Sequence, residues 1–144
     1  MRHVMCSFFL ALAFVVPSAN GMAAESTPPP INAVKPGEFQ DISKSDLEAA
    51  MAAKAVVLSD CNGSASYAQG HIPGALDFEA VGQDLALHLP QDKQTLVVAY
   101  CGGPACGAYK HGAVAAAGLG SARVQHLSAG LTGWKQSGGA LARD

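Results

Sequence analysis

The segment "YCGGPACG", Tyr100 to Gly107, holds the residues best suited to chemistry in this chain. Cys101 and Cys106 bracket Gly102, Gly103, Pro104 and Ala105. A thiolate can act as nucleophile, disulfide partner or metal ligand. Cys101 directly follows the strand-forming run "TLVVAY" and precedes the helix-forming run "ACGAYKHGAVAAAGLG". That order places it at the mouth of a sheet. Glycines after it let the backbone turn its N–H groups inward, which builds an anion-binding nest. A helix starting near Ala105 or Cys106 adds the positive end of its dipole. Both effects favour thiolate over thiol. A buried small hydrophobe is the plainer reading of Cys101, but it leaves the glycines unexplained.

Three roles compete for Cys106. It can be a resolving thiol that captures a modified Cys101 as a disulfide. It can be a packing residue that alanine would replace. It can be a metal ligand with Cys101, Cys61 or His111, although the spacing matches no structural zinc pattern. Asp60 and Cys61 follow a second strand-forming run, "AVVLSD", and are expected to border the same pocket. Asp60 reads as a structural acceptor, and burial preference favours Cys61 as a small buried side chain in place of valine. His71 lies in the turn "GHIPGA" and is expected to hydrogen-bond locally. His88 and His126 read as surface or strand residues, and Trp134 as a core anchor.

The elements that must position these residues alternate. Ser45 with Glu48 fits a capping box opening a helix over "SDLEAAMAAK". A strand follows, ending near Ser59. A short helix over "SASYAQG" stops at Gly70. A strand runs from about Ala75 to Phe78, and a weak helix covers "GQDLALHL". "TLVVAY" is the clearest strand, followed by the alanine-rich helix. A last strand at about Val124 to Leu127 precedes a short helix over "LTGWKQSGG". Alternation of this kind predicts an α/β fold. Its central sheet is mostly parallel, with about four to five strands and helices on both faces. Ligand sites in such sheets lie beyond the C-terminal ends of the strands, where Cys101, Asp60 and Cys61 fall.

With 144 residues, 49% of them apolar, the chain suits one folded domain. The formal net charge is −2 with no Lys/Arg cluster, so nucleic-acid binding has no electrostatic footprint. The N-terminus reads as a signal peptide over residues 1–23: Arg2, an apolar run from Val4 to Val16, Pro17, then small residues. The run falls short of the roughly 20 residues of a membrane span. Cleavage after Gly21 or Ala23 would remove Cys6 and leave Cys61, Cys101 and Cys106. Export to a periplasmic or extracellular compartment is the expectation, with no membrane partner after cleavage. Residues 24–40, rich in proline, read as a linker, and 41–144 as the domain.

The set of motifs from Asp41 to about Ala140 resembles rhodanese-like sulfurtransferase domains. The resemblance rests on "GHIPGA", Asp60 after the first strand, Tyr67 before Gly70, the strand–Cys101–loop–helix unit and "GLTGW". The loop itself resembles a C-x-x-P-x-C subgroup. The resemblance implies a sulfurtransferase that carries sulfane sulfur as a Cys101 persulfide. Backbone groups of Gly102, Gly103, Pro104, Ala105, Cys106 and Gly107 would cradle that sulfur. The donor would be a small sulfur compound. The acceptor would be a thiol, cyanide or a partner protein's thiol, and no cofactor or metal is implied. A thiol–disulfide module using Cys101 and Cys106 and a catalytically silent binding domain are the alternatives. Two departures stand out. The loop carries no charge, and "Asp-Cys-Asn" at Asp60 to Asn62 lacks the basic residue common in the family. Related phosphatases place an arginine where this chain has Gly107, which argues against oxyanion chemistry.

Overall fold

The computed structural model describes residues 38–143. The expected signal peptide, and all of the expected linker except residues 38–40, lie outside the described residues. Five strands form one parallel sheet in the order β1–β5–β4–β2–β3. They are β1 (Gln40–Asp41), β2 (Val56–Asp60), β3 (Ala75–Asp77), β4 (Leu96–Tyr100) and β5 (Arg123–Leu127). The helices are α1 (Lys44–Ala52), α2 (Ser64–Gln69), α3 (Phe78–Val81), α4 (Leu85–His88), α5 (Tyr109–Gly118) and α6 (Gly130–Gln136). β4 is the central strand and all five of its residues are buried.

Alternation along β4 divides the core in two, because successive side chains point to opposite faces. Leu96, Val98 and Tyr100 pack with Leu47 of α1 and with Leu131 and Trp134 of α6. Val97 packs on the other face with Leu85 of α4, Leu89 and Ala116 of α5. Helices therefore cover both faces. β4 is thus buried from two sides, which explains its unbroken apolar character.

Some boundaries differ from the sequence reading. Helix α1 opens at Lys44 with Ser43 as its cap, not Ser45: Ser43 Oγ accepts from the Asp46 N–H at 3.1 Å. Ser45 then falls within the first turn, and Glu48 pairs with Lys44 instead. β3 ends at Asp77, whose carboxylate caps α3 by accepting from the Glu79 and Ala80 N–H groups. The "GQDLALHL" helix is reduced to a 3-10 turn at Gly82–Asp84 followed by the single turn of α4. β1 uses Gln40 and Asp41 to extend the sheet beside β5, so the sheet begins inside the stretch expected to be linker. Two residues are too few for an alternation signal; the pairing exists because β5 offers a free edge.

Candidate active site

Cys101 follows the last residue of β4 and is 2% exposed. The loop after it forms an open depression of about 460 Å³, lined by Gly102, Gly103, Pro104, Ala105, Cys106 and Thr132. Cys101 adjoins this depression through Gly102, and Cys106 forms part of its wall. The two cysteines are joined as a disulfide with their Cα atoms 6.2 Å apart, a separation ordinary for such a link. This is the oxidised state of the site.

The loop curls through one turn. The Cys106 N–H donates to Gly103 O at 2.9 Å. In this oxidised state that amide therefore serves the turn. In this state Cys101 Sγ lies 3.3 Å from the Cys106 carbonyl oxygen. The following helix also starts later than expected, at Tyr109 and not near Ala105 or Cys106. Its first bonds are tight: Lys110 N–H to Gly107 O at 3.1 Å and His111 N–H to Ala108 O at 3.0 Å. The turn closed by Gly103 and Cys106 holds the chain away from helical geometry until Gly107. The dipole end of α5 is thus displaced along the chain from Cys101, and its effect falls off within a turn.

The loop is fixed from the opposite side by the start of α6. The Leu131 N–H donates to Cys101 O at 2.8 Å and the Thr132 N–H to Gly102 O at 2.9 Å. Gly130 approaches so closely that a Cβ there would lie 2.5 Å from both Cys101 O and Gly103 N, and its φ is +59°. Only glycine fits both the space and the dihedral. Thr132 and Gly130 did not stand out in the sequence as site residues. Their signal was the "GLTGW" string, which carried the family resemblance without assigning them a role.

Asp60 is 1% exposed at the end of β2. Its Oδ1 accepts from the Asn62 backbone N–H at 2.8 Å and from Asn62 Nδ2 at 2.7 Å. Asn62 Oδ1 would lie 3.6 Å from a Cβ at Gly102, so Asp60 reaches the loop only through Asn62. Cys61 is a free cysteine facing away from the depression. Its thiol lies against Ser59 Oγ at 3.8 Å and Tyr109 O at 4.0 Å, beneath α5. Neither Asp60 nor Cys61 is among the residues lining the depression. Successive side chains at the end of β2 point to opposite faces. Burial pushes the Cys61 thiol above its ordinary range, and the neighbouring Asp60 charge adds to that.

Tyr100, the last residue of β4, is fully buried in the core. Its hydroxyl accepts from the Ile72 N–H at 3.0 Å in the middle of the core. Burial, followed by the adjacent Asp60 carboxylate, pushes this phenol far above its usual range. His71 is 2% exposed, stacks on Tyr67 at 3.6 Å and places Nδ1 3.0 Å from Tyr67 O. It clamps the "GHIPGA" turn, as its local role in the sequence suggested. His126 stacks on Tyr109 at 3.8 Å, and burial lowers its pKa. Lys110 and His111 are exposed and do not line the depression. Among the described residues, no group of three or more His, Cys, Asp or Glu is placed to hold a metal ion. No helix there is long and apolar enough to cross a membrane.

A parallel α/β sheet with one cysteine at the end of its central strand, under a short glycine-rich loop, defines a distinct class of proteins. The family model of the rhodanese-like domain matches residues 43–137, and this chain belongs to that family. Solved structures share its fold. A Bacillus halodurans protein aligns with a TM-score of 0.58 at 22% identity, over 73% of this chain and 77% of its own. A rhodanese-related protein from Thermoplasma volcanium aligns at 0.55 and 15% identity, over 74% of this chain and 100% of its own. A thiosulfate sulfurtransferase from Pseudomonas aeruginosa aligns at 0.60 and 22% identity. That alignment covers 73% of this chain but 20% of the sulfurtransferase. No curated protein sequence matches the chain significantly.

Proposed function

We propose that the protein is a sulfurtransferase carrying sulfane sulfur on Cys101. The observation that carries this reading is the placement of Cys101. It lies buried just after the C-terminal end of the central parallel strand, bonded to Cys106 in the wall of the depression formed by residues 102–106 and Thr132. In the reduced protein the Cys101 thiolate attacks the outer sulfur of a donor and displaces the donor's leaving group. Cys101 then holds a persulfide, and an acceptor nucleophile takes the outer sulfur and returns the thiolate. A thiol, a partner protein's thiol or cyanide fits the acceptor role.

The wall of the depression is uncharged and largely backbone. An anionic donor such as thiosulfate finds no bidentate cation there to hold its sulfonate group, which disfavours thiosulfate as the donor. We also propose that the chain acts after export, from the Arg2, Val4–Val16 and Pro17 leader pattern.

The test is sulfur transfer to cyanide by the reduced protein, with thiocyanate measured for several donors. Polysulfide is expected to support turnover well above thiosulfate, and Cys101→Ser to abolish both. Turnover surviving in Cys101→Ser, or none in the wild type with any donor, overturns the reading.

A further inference from the structure

The disulfide between Cys101 and Cys106 assigns a second half-reaction to the site. We infer that Cys106 resolves the Cys101 persulfide within the chain and releases its sulfur as hydrosulfide, making the protein a thiol-dependent reductase of sulfane sulfur. This inference rests on the persulfide reading above and deepens it.

Three observations carry the step. First, the bond in the structure joins Cys106 Sγ to Cys101 Sγ itself, which is the inner sulfur of a persulfide. The turn closed by the Cys106 N–H and Gly103 O brings the two residues within reach, with their Cα atoms 6.2 Å apart. Second, leaving-group chemistry sets the direction. When the Cys106 thiolate attacks the inner sulfur, the group expelled is HS⁻. Hydrogen sulfide is a stronger acid than a cysteine thiol, and the more acidic group leaves faster. The step balances as Cys101–S–SH plus Cys106–S⁻ giving the disulfide plus HS⁻. Cys101's inner sulfur keeps its bond to carbon, the S–SH bond breaks, and its electron pair leaves with HS⁻.

Third, the two sulfurs differ in access. Cys101 is 2% exposed, whereas Cys106 is half-buried in the wall of the depression. A reducing thiolate entering from solvent therefore meets Cys106 Sγ first. Its attack there forms a mixed disulfide on Cys106 and expels Cys101 as the thiolate, ready to reload. A second thiol then displaces Cys106 and leaves as an external disulfide. The cycle consumes one persulfide donor, RSSH, and two reducing thiols, and yields RSH, hydrogen sulfide and one external disulfide. The reductant is a small thiol or a dithiol protein, and an uncharged mouth admits either.

The deciding experiment is an anoxic single turnover. Fully reduced protein is treated with inorganic polysulfide, desalted, and followed by intact mass, thiol titration and sulfide release. In the wild type, the expected end state carries no added sulfur, has lost two titratable thiols and has released one sulfide per chain. Cys106→Ser is expected to retain the mass of one sulfur and to release none without an added acceptor. If the wild type retains the added sulfur as stably as Cys106→Ser, resolution by Cys106 is overturned while the carrier reading stands. If Cys106→Ser takes up no sulfur although it is folded by circular dichroism, the carrier reading fails and the inference fails with it. Cys61→Ala, treated in parallel, is expected to match the wild type. Loss of disulfide formation in that variant instead would assign resolution to Cys61 and overturn the inference.

Discussion

Gly130 packs directly against the backbone of Cys101: a Cβ at Gly130 would lie 2.5 Å from the Cys101 carbonyl oxygen. The reactive cysteine and the start of α6, far apart in sequence, thus share one van der Waals contact that admits no side chain. The neighbouring Leu131 and Thr132 N–H groups hold the same loop carbonyls. Gly130→Ala is therefore expected to push the loop off its position. Because φ at Gly130 is also positive, the strain costs about 1–3 kcal/mol. Loss of loop geometry is expected to slow persulfide loading by about 100-fold, as misplacements near 1 Å do. Rates of loading, measured by stopped mass analysis on folded protein, check this.

Gly112 stands in a similar relation to Cys61. A Cβ on Gly112 would lie 2.7 Å from Cys61 Sγ and 2.9 Å from Ser59 Oγ. Helix α5 thus approaches β2 as closely as it does because both sides are small. Gly112→Ala is expected to destabilise the fold by about 1–3 kcal/mol through overpacking. Removing the sulfur in the Gly112→Ala/Cys61→Ala double variant is expected to recover about 0.5 kcal/mol or more of that loss. Denaturant unfolding of the four members of the cycle measures the coupling, and strict additivity would exclude the contact.

Tyr100→Phe tests the buried hydrogen bond in the core beside Cys101. The substitution removes the acceptor of the buried Ile72 N–H while keeping the ring. An amide left unpaired in the core costs about 1–3 kcal/mol. The fall in unfolding free energy is the readout. A change within about 0.5 kcal/mol, the ordinary range for an exposed site, would contradict the bond.

The Cys61 thiol is held above its ordinary range by burial. Its thiolate is therefore scarcer than that of an unfolded cysteine at the same pH. In Cys101→Ser/Cys106→Ser, alkylation of Cys61 is expected to be slow and to keep rising with pH beyond the point where denatured protein levels off. The linked stability has a definite sign. It is intact below the pH at which the unfolded thiol ionises, and it declines as pH rises from there toward the folded-state value. An alkylation profile matching that of the denatured chain would contradict the burial of the thiol.

The strands were the most legible part of the chain. "AVVLSD" and "TLVVAY" are short, largely apolar runs, and each became a strand of the parallel sheet; the last strand, expected at about Val124 to Leu127, runs from Arg123 to Leu127. Gly70 and Trp134 also took the roles their types suggest, as helix stop and core anchor. The start of α5 was not legible. Ala105 and Cys106 have helix-compatible types, but the turn between Gly103 and Cys106 overrides local propensity. β1 was hidden because a two-residue pairing depends on the edge of β5 and not on its own sequence. The direction of the Cys61 side chain was not legible because it depends on strand register, where one residue reverses the face.

By itself the sequence determined the alternating α/β plan and the position of Cys101 between a strand and a helix. It also determined the absence of charge from the loop that follows. These are local properties, carried by hydrophobic period, turn residues and composition, and they survive without knowledge of any long-range contact. The tertiary structure alone decided that Cys106 meets Cys101, and that Cys61 turns away beneath α5. It also decided that Gly130 and Thr132 close the site from α6. Those relations join residues from separate elements. They depend on how a parallel sheet stacks its connections, which no single stretch of residues encodes.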